Sequence, residues 1–434
     1  MNSDTFTLGR AWSEFKSLSL AAQVYIVCFV LIFASGSTPL LGYVPHLMLA
    51  MLGAAALSVF DRGRAGRPRF IMLRHGLSAE LLMLLFIAFF CCAQTTSAYS
   101  NSIAAIYSKR YLIYAALSLF VADPKVFAIC IRVVSVYLNV CALSLIGSTV
   151  LLGSKTGGLL GNYQAGGMMM SIACVLNVID YYRCGKSSNY LWLTLLAAFA
   201  LLFTGKRTFA LIAFAGVFVL YLFASKGKKS LLKVVLITLF LAAACFMAYE
   251  FTDFGRSAFE RFALLTGGDK TDAMSGRDLL WNAAWITFQE HPVTGIGFGS
   301  FANWYAAFYM QYGGTAYLTH NIYYGMLAEM GIVGTSVFIA LFAWGLVSTV
   351  RTLFAVRHGE HGHVSDYVLV VSLAVQIWFI AYGFTGNGIY DANEMFFYVI
   401  ALVMNLSVRH PLRLEELDSK PTAENPRRKA AAHA

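Results

Sequence analysis

The chain has 434 residues, 59% of them hydrophobic and 12% charged, where a soluble domain carries about 25% charged residues. That composition excludes a soluble enzyme and predicts an all-α polytopic membrane protein whose helical bundle is itself the domain. The formal net charge of +10 falls in the loops between apolar runs, which is the mark of membrane topology and not of a nucleic-acid-binding surface.

A spanning helix needs about 20 mostly apolar residues. The apolar runs predict about twelve transmembrane helices, near 20–36, 38–60, 77–97, 103–122, 126–151, 165–182, 190–204, 208–225, 231–250, 320–349, 367–386 and 390–408. The eighth is short for a full span, and the tenth is long enough to begin above the membrane. Residues 1–18 are polar and no small-residue cleavage site follows the first run, so that run is expected to be a retained helix. Arg62, Arg64, Arg67, Arg69 and Arg74 lie on the same side as Lys226, Lys228, Lys229 and Lys233. The positive-inside rule then puts both termini in the cytoplasm and the one large polar loop, 251–319, with its helices, outside. Residues 1–410 form the membrane domain, and the polar stretch 411–434 reads as a disordered cytoplasmic tail. His358, His361 and His363 form a solvated cytoplasmic turn or, as the alternative, a metal-binding tract. All of the eight cysteines except Cys184 lie in apolar runs and none in the long loop, which gives no disulfide framework and no metal spacing.

Basic residues on the translocated side run against the topological bias, so they are the first candidates for function. Lys206 and Arg207 stand between two apolar runs, where charge costs about 2.5–3.5 kcal/mol each on insertion scales. They form an interfacial anchor or an anion site, and the planar fork of Arg207 suits a phosphate. Arg256, Arg261 and Arg277 lie in the long loop. Ser275 is placed to cap a helix that carries Trp281 and Trp285 on one face and stops before Pro292. Arg277 in its first turn would offer an anion both a guanidinium and the positive helix end. The glycines of Gly295-Ile296-Gly297-Phe298-Gly299 make a tight turn, since no strand precedes them and the spacing does not fit a nucleotide loop. His320-Asn321 opens the tenth run at the water–membrane boundary, where an imidazole with an ordinary pKa near 6.5 suits a general base or a binding group. Glu329, on the opposite helical face from His320, is structural or binds an acceptor. Asn162 in the outer loop 157–164, the Lys109-Arg110 pair at the outer start of the fourth run, and Asp391 and Glu394 complete the polar groups of that side. They form no oxygen-ligand cluster for a catalytic metal.

These residues resemble the O-antigen ligase and polymerase superfamily of bacterial envelope enzymes. The likeness rests on Thr204-Gly205-Lys206-Arg207 before a helix, Arg277 four residues ahead of Trp281, Pro292-Val293-Thr294-Gly295-Ile296-Gly297, and His320-Asn321 followed by Glu329-Met330-Gly331-Ile332-Val333-Gly334. Lys206 is a departure, because a Ser often precedes the Arg in relatives. The resemblance implies an inverting glycosyl transfer on the periplasmic face of the inner membrane, needing neither cofactor, metal nor ATP. The donor is a glycan on undecaprenyl pyrophosphate and, in the ligase, the acceptor is a sugar hydroxyl of lipid A–core. Carried over by position, Arg207 and Arg277 hold the pyrophosphate, and His320 accepts the acceptor proton or orients the acceptor. Lys206, Asn321, Arg256, Arg261, Arg110, Asn162 and Glu329 are expected as further substrate-binding residues. An O-antigen or exopolysaccharide polymerase and a protein O-oligosaccharyltransferase share these motifs. A transporter of a lipid-linked substrate is the alternative from a different class, and it is disfavoured by the absence of an internal repeat.

Overall fold

A computed structural model of the chain describes residues 8–35, 42–60, 70–72, 78–96, 101–152, 157–183, 187–224, 277–309, 317–358 and 363–419. Within them the chain is almost wholly helical. The first helices are α1 (Leu8–Ser17), α2 (Leu20–Ser35), α3 (Val44–Phe60), α4 (Ala79–Ala93), α5 (Asn101–Leu119), α6 (Pro124–Leu152), α7 (Tyr163–Arg183), α8 (Ser188–Phe203) and α9 (Arg207–Ala224). Then come α10 (Arg277–Glu290), the short α11 (Phe301–Trp304), α12 (Ile322–His358), α13 (His363–Tyr382) and α14 (Ala392–Ser419). A helix occupies each expected apolar run except 231–250, which lies outside the described residues.

Length separates these helices. Among the described residues α6, α7, α12 and α13 are long and apolar enough to cross a membrane. The apolar helices α2, α3, α4 and α8 are shorter. The 16 residues of α2 reach about 24 Å, less than the roughly 30 Å hydrocarbon core.

Two departures from the sequence reading concern the ends of elements. Phe120–Ala122, expected as the end of a helix, form a strand, β2, that pairs antiparallel with β1 (Phe70–Met72), Phe70 opposite Ala122. The last helix continues through Pro411 to Ser419, so the segment expected to be disordered from residue 411 begins as helix. The leucines and glutamates after Pro411 are good helix formers, and residues 420–434 lie outside the described set.

Buried charge ties the bundle together. Arg132 on α6 pairs with Asp180 on α7 at 2.7 Å, and Asp180 also accepts from Tyr367 on α13 at 2.8 Å. Glu80 on α4 accepts from Arg409 on α14 and from Trp344 on α12, both at 3.0 Å. Each carboxylate thereby joins three helices, as a charge in an apolar bundle must be paired.

The long helix α12 is broken. Gly331 has φ 58° and ψ −161°, which ends the regular ladder after Met330. A continuous helix would bond Ile332 N–H to the Ala328 carbonyl and Val333 N–H to that of Glu329. Instead the two donors go to Pro292 and Val293 carbonyls, at 2.8 and 3.2 Å, and the two carbonyls accept from Ile296 and Gly297 N–H, at 3.0 and 2.9 Å. Segment 292–297 thus replaces the lost bonds one for one. Its close approach requires glycine on both sides: a Cβ at Gly295 would strike the Glu329 backbone, and one at Gly331 the Val293 backbone. Gln94, just past α4, adds bonds from Nε2 to the Thr294 and Glu329 carbonyls and accepts Phe298 N–H on Oε1.

Glu329, wholly buried, uses its carboxylate here. Oε2 accepts Gly299 N–H at 2.9 Å and Oε1 accepts Phe301 N–H at 2.8 Å. Glu329→Gln turns one acceptor into a donor facing a buried N–H. It is expected to lower stability by about 1–3 kcal/mol, read as a drop in unfolding temperature of the purified protein in detergent.

Candidate functional site

Four segments far apart in sequence meet at the start of α12. The first is the turn between α8 and α9. Thr204 Oγ1 donates to the Leu201 carbonyl and accepts Lys206 N–H, and Gly205 takes φ 65°. That reversal ends α8 and restarts the chain as α9 at Arg207. Lys206 Nζ lies 4.8 Å from the Tyr163 ring centroid at the start of α7. A Cβ on Gly167 would meet Phe209, Thr204 and Lys206 at 2.8–3.3 Å, so α7 packs directly on this turn. The side chain of Arg207 lies outside the described residues, as do Arg256, Arg261 and Ser275.

The second segment is α10. Leu280, Ala283, Ala284 and Thr287 are buried, and Trp281 lies flat on Tyr324 of α12, with ring centroids 5.7 Å apart. The aromatic face is therefore packing, as far as Trp281 goes; Trp285 is 43% exposed. The Trp281 indole N–H donates to the Thr319 carbonyl at 3.0 Å. Arg277 is one turn before Trp281 and His320 one residue after Thr319, so this bond sets the register between the two. The guanidinium of Arg277 is half-buried, and desolvation lowers its pKa. Among the described residues no carboxylate forms an ion pair with it.

His320 is in the third segment. Its φ is 50°, a left-handed backbone found at no other non-glycine residue of the described set. Such a conformation costs about 1–2 kcal/mol and at a cleft is a sign of function. Asn321 then caps α12: Oδ1 accepts Tyr323 and Tyr324 N–H at 3.0 and 3.3 Å. Thr319 Oγ1 donates to the Asn321 carbonyl at 2.8 Å.

In the fourth segment, the turn between α13 and α14, the sequence marked Asp391 but not Asn387. Asn387 Oδ1 accepts His320 N–H at 3.0 Å, and Asn387 Nδ2 stands 3.1 Å from His320 Nδ1. A lone asparagine among glycines carries no signal of its own; only the fold brings it to His320.

Electrostatically these groups form one site. Burial pushes the His320 pKa below its ordinary value, and the positive charges of Arg277 and Lys206 push it further down. The neutral imidazole is therefore favoured, and the two cations that act on it would welcome an anion. Tyr382, at the end of α13, stacks on Phe209 of α9 at 5.2 Å.

Other expected site residues serve the scaffold. Arg110 sits well inside α5, not at its start. Its Nη1 donates to the Tyr390 carbonyl at 2.7 Å, and its guanidinium lies over Tyr107. Asn162 Oδ1 accepts Ala165 N–H at the start of α7 at 2.8 Å. Asp391 Oδ1 accepts Asn393 and Glu394 N–H and so caps α14. Glu329 is closed off in the helix break.

Residues 192–339 match the family model described as O-antigen ligase. Lys206, Arg207, Arg277 and His320 all fall inside that segment, and Asn387 falls outside it. Comparison with characterised proteins gave no match.

Lys206→Met removes one of the two charges that oppose protonation of His320. Its pKa should rise toward 6.5, so the imidazolium persists to higher pH than in the wild type, as read from NMR titration of the ring.

Proposed function

We propose, from the match of residues 192–339 to the O-antigen ligase family model, that this membrane protein transfers a glycan from undecaprenyl pyrophosphate to a sugar hydroxyl of lipid A–core. The single observation that carries the reading is the convergence of Arg277, Lys206 and His320 at helix ends within the matched segment. The acceptor oxygen bonds to the anomeric carbon from the face opposite the pyrophosphate. The carbon–oxygen bond to the pyrophosphate breaks, its electron pair leaves on the phosphate oxygen, and the acceptor loses its proton. Arg277, Lys206 and, at the start of α9, Arg207 stabilise the charge that develops on the leaving group. Low local polarity strengthens that effect. His320 meets the acceptor hydroxyl or the leaving group.

An apolar groove between α7, α9, α12 and α13 supports a polyprenyl donor. Val175, Ile212, Gly216, Leu373 and Trp378 line it. Trp378 and Ala381 close one end of it, and the Trp378 ring stacks on Tyr382 at 5.3 Å. In this reading the bundle has about twelve spans in the bacterial inner membrane, both termini are cytoplasmic, and the site faces the periplasm. The single large loop before α12 favours the ligase over the polymerase.

The test is reconstituted transfer with undecaprenyl-pyrophosphate glycan, with and without lipid A–core, in EDTA and without ATP. Product only with lipid A–core is expected. Lengthened lipid-linked glycan without it would make the protein a polymerase, and donor binding without transfer would move the reading to protein glycosylation or transport. His320→Ala is expected to lower kcat about 100-fold or more with little change in donor affinity, while Arg277→Ala weakens donor binding as well. Equal, mild losses from both would overturn these roles.

A further inference from the structure

The contact between Asn387 and His320 has a direction. A backbone N–H only donates, so His320 N–H fixes which end of the Asn387 amide is oxygen. The other end, Nδ2, has two donors and no lone pair to offer, so it donates to His320 Nδ1. A ring nitrogen that accepts carries no proton, and the neutral imidazole then keeps its proton on Nε2. The asparagine is itself fixed. Gly386 and Gly388 on either side press against Tyr382 and Phe379, where a Cβ would have no room, and Tyr390 N–H donates to the Asn387 carbonyl at 2.9 Å. Among the described residues the charged groups acting on the ring are Arg277 and Lys206. Neither is an acceptor that would draw a proton onto Nδ1.

We propose that Asn387 is a positioning residue that locks His320 in its Nε2–H tautomer, so that His320 enters the transfer as a hydrogen-bond donor to the pyrophosphate and not as the base. The proposal rests on the transfer reading above. The acceptor oxygen bonds to the anomeric carbon, and the bond from that carbon to the pyrophosphate oxygen breaks with its electron pair going to the oxygen. His320 Nε2–H and the Arg277 guanidinium hold the charge that appears there, and the acceptor proton passes to a non-bridging oxygen of the departing pyrophosphate.

The tautomer is read directly from ¹⁵N-histidine-labelled full-length protein in lipid nanodiscs, with the His320 signals identified by their loss in His320→Gln. A pyridine-like Nδ1 and a pyrrole-like Nε2 are expected; the reverse overturns the lock, whatever the activity. A wild-type chain that shows this tautomer but performs no transfer overturns the reaction and the role given to His320, not the tautomer. Asn387→Asp tests the role. A carboxylate accepts from both His320 N–H and Nδ1–H, which draws the ring proton off Nε2 and exposes a lone pair there. Read above the variant's own His320 titration, where the ring is neutral, a donor ring then loses about 10²–10³-fold in kcat, the loss typical of one such donor, and unchanged or higher kcat there overturns the proposal. His320→Gln, which still presents an N–H, should keep at least about tenfold more kcat than His320→Ala; equal loss from the two also overturns it. The Gln and Ala pair and the wild-type spectrum decide the matter should Asn387→Asp not fold. In the pH profile of kcat, no acid limb should follow the NMR titration of His320, because the imidazolium also carries Nε2–H; a limb that tracks it marks a base.

Discussion

The break in α12 at Gly331 is the constraint on which the outer half of the structure depends. Two carbonyls and two N–H groups lose their helical partners where the ladder stops, and a backbone polar group left unpaired away from water is costly. Segment 292–297 supplies both acceptors and both donors, and the Glu329 carboxylate continues the docking by holding Gly299 and Phe301 N–H. Once that segment is fixed, α10 before it and α11 after it have little freedom. The helix that carries Arg277 is therefore placed by backbone chemistry, by the packing of its buried face and by one indole N–H, not by an ion pair of Arg277 itself.

The same economy governs His320. It sits in an unfavourable backbone conformation, and the surroundings determine that conformation completely: Asn387 holds its N–H, the Trp281 indole holds the carbonyl before it, and Asn321 caps the helix after it. A ring held this way is oriented before any substrate arrives, which is what electrostatic preorganisation requires. Burial and two neighbouring cations keep it neutral while leaving the site attractive to an anion. In the transfer proposed above, the cations serve two ends, a phosphate-like partner and the protonation state of the histidine.

Deeper in the bundle, Asp180 and Glu80 each connect three helices. These contacts bring α13 and α14 into place, and the turn between α13 and α14 delivers Asn387. The position of one amide at the site therefore traces back to ion pairs among helices remote from it in the chain.

Sequence by itself determined the class of the protein and the place of nearly every described helix, and it marked Lys206, Arg207, Arg277 and His320 as candidates, because apolar length and cations set against the topological bias are local, additive signals. It also carried the likeness of residues 204–334 to a known superfamily. What it did not contain was the purpose of the glycine motifs around Gly295 and Gly331. They read as a turn and a helix, yet they are the two halves of one backbone junction, and each glycine is explained only by the chain it touches. The short β1–β2 pairing, the tether of Arg110 to Tyr390 and the closed environment of Glu329 were illegible for the same reason. Asn387 is the clearest case. Its role depends on two hydrogen bonds to a residue 67 positions away, and the direction of an amide is a property of the folded neighbourhood alone.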